Sequence, residues 1–451
     1  MKKKVSIGYE ILRVPVWIGS RLFYRKIKIH GLENVPEKNQ ATILISNHQN
    51  GMMDPVMLCV SIMRQLHFLT RADLFKDKLT NKLLRHLNML PVYRALDKVA
   101  DIAAMNDDTF AKSYKRILNG DVVSMFPEGN HNNKKWIRPF RKGISRVTFG
   151  AMEMADFQRD IQIIPIGIDY TSYTEFRSEI LLNFGKPIST IKYADLYKKD
   201  PARALTILAK ESNAALKALV VDVTDKDNYD WLMGTEMLAL EAHPSGDKNY
   251  STHLDRVNTF KDFLLKWDLY RTENTNSSKD ISDKAKKYLT LRNKLSLTER
   301  SIWQSNQNYE TVIPMIGMAL ILPIILIGVL LNVLPGLITR KFVNTQVKDP
   351  HFTSSISMVM GVIFFGIFWP LQGLLISWLT SWPWALPITF LAALLTGLVT
   401  VECWRLYSQI KHVIKWRKLL KKKNIDAQTL NTLRSELASH FREISKPASL
   451  V

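Results

Sequence analysis

Short apolar runs and longer helical patterns alternate along the chain from about position 41 to position 190. Apolar runs bounded by turn residues are typical of buried strands, whereas apolar positions that recur every three or four residues are typical of helices. The predicted strands are 41–46, 66–70, 122–126 and 161–168, and the predicted helices are 55–63 and 97–118. Strands that alternate with helices predict an α/β domain, which we place at residues 31–200.

The segments on either side of this domain have different patterns. Residues 5–24 mix aliphatic and aromatic residues with basic ones. They fit an interfacial helix that lies on lipid, at residues 1–30, or an ordinary first helix packed on the domain. Residues 201–305 are mostly helical in pattern, with breaks at 243–246 and 274–278. We interpret them as a helical insertion or linker, with a partner-binding or lid role as the alternative.

The region 312–402 predicts a membrane anchor, because residues 312–338 and 352–401 carry no charge. A spanning helix needs about 20 apolar residues, so the second stretch predicts two spans, 356–380 and 384–402. The tryptophans at the break between them suit a membrane interface. Prolines at positions 314, 323 and 335 interrupt the first stretch.

The topology follows from the position of the basic residues. The tail 403–451 has seven Lys and Arg and no acid between positions 411 and 423, which predicts a cytoplasmic location. The α/β domain shows no export signal and is expected on the cytoplasmic side as well. Two ends on one side require an even number of crossings, so we expect 312–338 to be a re-entrant hairpin. The alternative is three ordinary spans with the tail outside.

The formal net charge of +21 indicates an anionic partner. Such a partner is a nucleic acid, an anionic membrane surface or an anionic substrate. The sequence has no zinc-ligand spacing and no RNA-binding aromatic signature. We therefore expect membrane lipids and anionic substrates rather than nucleic acid. The two cysteines, Cys59 and Cys403, are predicted to be buried thiols, since a single distant pair excludes a disulfide framework.

The segment 46–55, Ser-Asn-His-Gln-Asn-Gly-Met-Met-Asp-Pro, is the most informative one. In a structural interpretation, Asp54 caps the helix that begins at Pro55, and His48 is an ordinary loop residue. In a functional one, His48 takes the proton of an attacking alcohol, and Asp54 orients the imidazole and stabilises its charged form. Ser46 lacks the glycine-flanked turn of a covalent nucleophile.

Three further segments suggest substrate contacts. Residues 90–94 end in Arg94, whose guanidinium suits a phosphate but is also common on surfaces. Residues 126–131, Phe-Pro-Glu-Gly-Asn-His, place a carboxylate beside a glycine that lets a ligand approach the main chain. Residues 163–168 read as a buried strand, in which Pro165 and Gly167 suggest an edge or a bend for an acyl chain.

Basic residues follow the second of these segments. They either form a phosphate-binding cluster or belong to a solvated face. The residues are Lys134, Lys135, Arg138, Arg141 and Lys142. His131 has no predicted role.

Taken together, these segments resemble the glycerophospholipid acyltransferase family. The blocks of that family read Asn-His-x-x-x-x-Asp, a segment ending in arginine, Phe-Pro-Glu-Gly, and an apolar stretch with a proline. They correspond here to Asn47-His48 with Asp54, to Arg94, to residues 126–129 and to Pro165. The resemblance covers about residues 25–190. Five residues rather than four separate His48 from Asp54, as in the longer fungal-type glycerol-phosphate acyltransferases.

The resemblance implies both a fold and a reaction. The fold is an α/β acyltransferase domain with a helical insertion and a C-terminal α-helical transmembrane region. His48 would be the general base and Asp54 its orienting acid. The substrate-binding residues implied are Arg94, Glu128, Gly129, Arg71 and Lys142.

The implied donor is acyl-CoA or an acyl carrier protein, and the implied acceptor is glycerol 3-phosphate or lysophosphatidate. Dihydroxyacetone phosphate or another lysolipid is the alternative acceptor. No metal or redox cofactor is implied. A non-catalytic membrane scaffold that kept the fold is the alternative from another class, but a scaffold would not require these site residues.

Overall fold

The computed structural model describes residues 7–37, 39–93, 101–244 and 252–446. These residues form two compact units. The first, called the sheet unit, comprises residues up to Asp222 together with Val347–Val359. The second, called the helical unit, comprises Val223–Gln346 and the chain from Met360 onward.

The sheet unit is organised around an eight-stranded sheet in the order β1-β7-β6-β2-β5-β3-β4, with β8 also paired to β6. The pairs β1–β7, β6–β2, β2–β5, β5–β3 and β3–β4 are parallel, and the pairs of β6 with β7 and β8 are antiparallel. The strands are β1 Lys26–His30, β2 Thr42–Ser46, β3 Leu66–Arg71, β4 Met89–Val92, β5 Val122–Met125, β6 Gln162–Tyr170, β7 Glu179–Phe184 and β8 Ile188–Ser189.

Helices cover both faces of this sheet, as a mostly parallel sheet requires. In β2, Leu44 points into the core shared with α1 and α2, whereas Ile43 and Ile45 point into the core shared with α4, α5 and α7. The helices of this unit are α1 Ile7–Phe23, α2 Met53–Ser61, α3 Lys78–His86, α4 Ile102–Leu118, α5 Gly143–Met154, α6 Ala194–Lys199 and α7 Pro201–Lys217. The predicted α/β domain is confirmed.

The bounds of the four predicted strands and two predicted helices agree with the structure to within about two residues, where those residues are described. Positions 97–100 of the second predicted helix lie outside the described residues. The prediction missed β1, β4, β7 and β8. β1 reads Lys-Ile-Lys-Ile-His and is largely exposed, so it has no continuous apolar run. β4 is a four-residue strand at the edge of the sheet, where Pro91 is tolerated.

Residues 163–168 form part of a buried strand, as predicted, and the alternative of an edge or a bend at Pro165 is not present. Pro165 pairs with Ile45 of β2 inside a nine-residue strand. On the other side of β6, the pairing passes from β8 at Ile163 to β7 at Ile166, and Pro165 lies in the gap between them. A proline has no N–H for a ladder, and the gap makes this position acceptable.

The predicted domain boundary at position 200 is also wrong. Helix α7 begins at Pro201, with Asp200 as its N-cap. Its residues Ala204 and Leu208 are fully buried in the core that it shares with α5 and the sheet. This helix therefore belongs to the sheet unit, and the unit extends to Asp222.

Helix α1 buries Tyr9 and Phe23 and leaves another face apolar and exposed, including Ile11 and Trp17. One face therefore packs on the domain, as an ordinary first helix would. The exposed apolar face is what an interfacial helix presents to lipid.

In the helical unit, the segment predicted as a linker packs against the C-terminal tail. Phe441 of the tail contacts both Trp231 and Phe263. Arg434 is 5% exposed and donates to Glu299 at 3.0 Å. The helices of this unit are α8 Tyr229–Gly234, α9 Glu236–Ala242, α10 His253–Glu273, α11 Thr275–Lys294, α12 Glu299–Asn306, α13 Val312–Leu320, α14 Leu322–Gln346, α15 Thr353–Thr380, α16 Ala385–Lys421 and α17 Ile425–Ile444.

Three helical segments are long and apolar enough to cross a membrane, namely Leu322–Gln346, Pro350–Thr380 and Ala385–Lys421. The first is one continuous helix of 25 residues. Within 312–338 the helical conformation is interrupted only at Ile321, where α13 ends and α14 follows. A hairpin centred in 312–338 is therefore not present, and the arrangement favours the alternative of three spans. Which segments cross a membrane, and in which direction, stays a prediction.

The two cysteines are free thiols, and both are half-buried rather than fully buried. Burial nevertheless raises the pKa of Cys59 to about 11. Because the thiolate is the reactive form, this thiol is unreactive near neutral pH.

Candidate active site

The two sequence segments with the strongest chemical pattern meet at one end of the sheet. β2 and β5 are parallel neighbours, with Ile45 opposite Met125. The chain leaves both strands on the same side, so the loop after Ser46 lies beside the loop after Met125. A backbone hydrogen bond joins the two loops, from the Asn132 N–H to the His48 carbonyl at 3.0 Å.

His48 and Asp54 form a direct pair. The Nδ1 atom of His48 lies 2.9 Å from Oδ2 of Asp54. The same oxygen accepts the backbone N–H groups of Gln49 and Asn50, each at 2.9 Å. Asp54 is fully buried, whereas the His48 side chain is 18% exposed. The loop thus wraps around one carboxylate, which leaves the imidazole edge facing outward.

Asp54 does not act as the helix cap, so the structural interpretation of this residue is wrong. Helix α2 begins at Met53, and its N-cap residue is Met52, without a side-chain hydrogen bond. The carboxylate instead accepts donors from the preceding loop. Within the five residues between His48 and Asp54, Gly51 has a φ of +40°, which is strained for other residues.

Tyr170 completes the surroundings of Asp54. Its hydroxyl donates to Oδ1 of Asp54 at 2.6 Å from the end of β6. Burial, and then the nearby charge of Asp54, raises the pKa of Tyr170 well above its ordinary value. The phenol therefore keeps its proton, and Asp54 accepts from four donors in total.

Glu128 holds the His48 loop in place and is not a free ligand-binding group. Its Oε1 accepts the backbone N–H of His48 at 3.2 Å, and its Oε2 accepts Arg138 Nε at 3.2 Å. The side chain is 2% exposed. Burial raises the pKa of Glu128, and the contacts with Arg138 and the His48 N–H oppose that rise. The residue predicted to shape the substrate site thus contacts the main chain of His48, and its role towards a substrate stays a prediction.

Two aromatic contacts fix the His48 ring. Phe126 stacks on it at 4.1 Å between ring centroids. His131 meets it edge-on at 5.6 Å. The Asn47 amide forms a hydrogen-bonded pair with the backbone of Ile168, 2.8 Å in each direction, which anchors the start of the loop to β6. The imidazole is therefore held by main-chain, aromatic and carboxylate contacts.

His48 lines a cavity of about 1000 Å³ within the sheet unit. One part of its wall is apolar, with Leu69, Leu74, Leu84, Met89, Val92 and Phe110. The charged lining residues are mostly basic, namely Arg71, Arg141, Lys142 and Arg146, against the two acids Asp107 and Glu153. The cavity therefore has space for a hydrocarbon chain and for an anionic group, with the imidazole in its wall.

The predicted substrate residues have different positions in relation to this cavity. Gly129, Arg71 and Lys142 line it, although Arg71 donates from Nε to Asp73 at 2.7 Å. Arg94 lies outside the described residues. Lys135, which was grouped with the phosphate-binding candidates, is 9% exposed and pairs with Asp169 at 2.8 Å. Lys135 is therefore held in a buried ion pair, whereas Arg141 and Lys142 of the same predicted cluster line the cavity.

Residues from the segment 347–359 also belong to the site, although that segment follows the apolar helix α14 and includes the start of the apolar helix α15. Phe352 lines the cavity and packs edge-on against His131, 5.6 Å between ring centroids. The backbone of His351 lies so close to Gly51 that a Cβ atom there would be 2.5 Å from its carbonyl oxygen. Met358 is buried in the same core as α2.

The family comparison agrees with this geometry. A family model described as Acyltransferase matches residues 26–169. These residues form an acyltransferase domain. The match contains both His48 and Asp54, together with the whole Phe-Pro-Glu-Gly segment.

Relatives of the acyltransferase domain carry related names. Glycerol-3-phosphate O-acyltransferase 2 of Saccharomyces cerevisiae is 29% identical over 129 residues, 28% of this chain and 17% of the relative. A 1-acyl-sn-glycerol-3-phosphate acyltransferase of Borreliella burgdorferi is 25% identical over 179 residues, 40% of this chain and 65% of the relative. The chain thus spans less than two thirds of the length of either relative.

The crystal structure of the acyltransferase PlsC from Thermotoga maritima is 17% identical in sequence. The match has a TM-score of 0.34 and covers 48% of this chain and 82% of that one.

Several residues of the candidate active site were missed by sequence reasoning. Tyr170 lies 116 positions after Asp54, and no local pattern connects the two. Asn47 was noted only as part of a block, and its pairing with Ile168 depends on the parallel register of β2 and β6. His351 and Phe352 were hidden because their segment lies beyond the helical insertion. The motif at His48 gave no signal for any of these contacts.

Proposed function

We propose that this protein transfers a fatty acyl group from a thioester to a hydroxyl of glycerol 3-phosphate or lysophosphatidate at a membrane surface. The donor would be acyl-CoA or an acylated carrier protein. The observation that carries the proposal is the 2.9 Å contact between His48 Nδ1 and Asp54 Oδ2 in the wall of the 1000 Å³ cavity.

The contact with Asp54 determines which nitrogen of His48 is basic. When the Nδ1–H group donates a hydrogen bond to the carboxylate, the neutral ring keeps a lone pair on Nε2. Nε2 then takes the proton of the acceptor hydroxyl as its oxygen attacks the thioester carbonyl. The tetrahedral intermediate collapses by breaking the carbon–sulfur bond. The imidazolium returns its proton to the departing thiolate, while buried Asp54 stabilises the positive charge.

The cavity wall supports the proposed substrate classes. Arg141 and Lys142 lie at the start of α5, whose N-terminal amides favour anions. Arg141 also packs against Gly129, where a Cβ atom would lie 3.1 Å from its Nε. These groups suit the phosphate of the acceptor. The apolar wall suits the acyl chain.

The names of the relatives favour glycerol 3-phosphate and 1-acylglycerol 3-phosphate over other acceptors. The three long apolar helices support a membrane-bound enzyme. We propose that the acyltransferase domain lies on the cytoplasmic side, where acyl-CoA and acyl carrier protein are made. We propose that the reaction needs no redox cofactor.

The test uses the full chain purified in detergent, with labelled acyl-CoA and acyl carrier protein as donors. The acceptors are glycerol 3-phosphate, lysophosphatidate, dihydroxyacetone phosphate and other lysolipids. His48→Ala should lower acyl transfer by about two to four orders of magnitude. Asp54→Asn should produce a similar loss, because its amide would face Nδ1 with a donor and favour the wrong tautomer.

His86→Ala is the matched control, since His86 is exposed on α3 and its Nδ1 donates to the Lys82 carbonyl of the same helix. Activity of His48→Ala within tenfold of the wild type, in a protein that still folds, would refute the mechanism. Transfer to none of the acceptors by the wild type would refute the proposed function itself.

A further inference from the structure

A second cluster of chemically active side chains lies beside His48. It contains His131 from the loop after β5, and Asp349 and His351 from the segment 347–359 of the same unit. One donor atom from each of the three lies within 4.8 Å of the others. None of the three takes or gives a proton in the proposed acyl transfer.

We infer that His131, Asp349 and His351 form a binding site for a divalent transition-metal ion such as Zn²⁺. Two imidazoles and one carboxylate are the donor set that protein zinc sites with an open fourth position use. The site differs from the resemblance described above, which implies no metal. It also does not depend on the proposed acyl transfer.

The distances fit an ion between the three groups. His131 Nε2 lies 3.5 Å from one carboxylate oxygen of Asp349, and His351 Nδ1 lies 2.6 Å from the other. The rings of His131 and His351 are 4.5 Å apart between centroids. Donor atoms about 2.0 to 2.2 Å from a zinc ion are separated by just over 3 Å, so small side-chain shifts are sufficient.

Binding of an ion would change the hydrogen bonds of one ligand. At His351, Nε2 accepts the Asn133 N–H at 3.3 Å. An ion on Nδ1 would move the His351 proton to Nε2 and open this long contact. The ion would also replace the 2.6 Å hydrogen bond from His351 Nδ1 to Asp349, so two hydrogen bonds are exchanged for a metal–nitrogen bond.

The main chain holds Asp349 in a defined position. Asp349 caps the short turn that follows it, and one of its carboxylate oxygens accepts the His351 N–H at 3.0 Å. The three side chains are half-buried, which restricts their rotamers and still leaves access from solvent. An ion here would fasten the segment 347–352 to the loop 130–133, two parts of the chain 218 positions apart.

The test measures binding of Co²⁺ and Zn²⁺ to the full chain, without a polyhistidine tag, in detergent and after treatment with a chelator. Cobalt coordinated by histidine and carboxylate ligands gives visible absorption, which zinc should abolish by displacement. We expect one ion per chain. His131→Ala, Asp349→Asn and His351→Ala should each weaken binding by about tenfold or more.

Two control variants separate this inference from the proposed function. His86→Ala and His48→Ala should bind cobalt as the wild type does. The melting temperature without metal shows whether each variant folds, and Asp349→Asn preserves the shape of the side chain. No cobalt absorption in the wild type would overturn the site. Loss of binding in His48→Ala with retention in His351→Ala would overturn it as well.

Discussion

The hydroxyl of Tyr170 donates to Oδ1 of Asp54 at 2.6 Å, whereas His48 contacts Oδ2 of the same carboxylate. The acid that orients the imidazole is thus itself oriented by a buried phenol of a different strand. Asp54 cannot rotate towards or away from His48 without breaking this hydrogen bond and the two from the backbone.

Tyr170→Phe should lower the turnover number by about tenfold, which corresponds to the loss of one hydrogen bond to a charged group. The KM for the acceptor should change little, because Tyr170 is fully buried behind Asp54. Tyr193→Phe, in the core on the other face of the sheet, is the control. Unchanged turnover in Tyr170→Phe would show that the backbone donors alone orient Asp54.

Gly129→Ala should raise the KM for a phosphate-containing acceptor by about tenfold. The φ of +75° at Gly129 costs other residues about 1–2 kcal/mol, and a methyl group would displace the Arg141 guanidinium. Steady-state kinetics with varied acceptor concentration measures the change. Gly8→Ala is the matched control, since a Cβ atom there would meet no atom within 4 Å. An equal effect of both substitutions would contradict the role of Arg141.

His131 should make the stability of the protein depend on pH. Its pKa lies below the ordinary value of 6.5, through burial first and then through His48 and His351, while Asp349 opposes the shift. The unfolded chain therefore binds a proton at a higher pH than the folded chain does. The stability that neutral His131 contributes is fully present above pH 6.5. It is lost as the pH falls through the lower pKa that His131 has in the folded protein.

Glutamine has no titratable group, so the variant His131→Gln cannot gain the positive charge that a protonated histidine carries. The difference in free energy of unfolding between the wild type and His131→Gln should therefore be constant above pH 6.5 and shift against the wild type below it. Denaturant titrations in detergent at several pH values measure this difference. Parallel curves over the whole acidic range would contradict the lowered pKa.

Asn332 connects three apolar helices of the helical unit. Its Oδ1 accepts Trp369 Nε1 of α15, and its Nδ2 donates to the Ala393 carbonyl of α16, both at 3.0 Å. Asn332→Leu should destabilise the protein by about 1 kcal/mol, a usual value for such contacts between membrane helices. Thermal unfolding in detergent measures the loss. Leu330→Ala, at a side chain that is 74% exposed, should have a smaller effect.

The local sequence was sufficient to predict the central strands and the His48 pair. β2, β5 and β6 are buried on both faces, so their apolar runs are continuous and easily recognised. The pair at positions 48 and 54 is close in sequence, and a single turn brings the side chains together. The edge strand β1 and the short strand β4 gave no such pattern, since their neighbours in the sheet determine their conformation.

The long-range contacts could not be predicted, for a physical reason. Glu128 and Lys135 carry ordinary charged side chains, and only the fold shows that both are buried in ion pairs. Pro165 was interpreted from its general preference for edges, but a gap between two partner strands accommodates it in a central strand. Asp54 precedes a proline, as a helix N-cap often does, yet its carboxylate accepts the N–H groups of Gln49 and Asn50 in the preceding loop.

The sheet unit is discontinuous in sequence, since Ser354 and Met358 are buried within it although they follow Asp222 by more than a hundred positions. A soluble fragment that stops at Asp222 would consequently lack part of its own interior, beside the very loop that carries Gly51. Its hydrophobic interior would be open to water at that place. The residues up to Asp222 and the segment Val347–Val359 must both be present for the sheet unit to be complete, either on one chain or as a fragment with an added peptide.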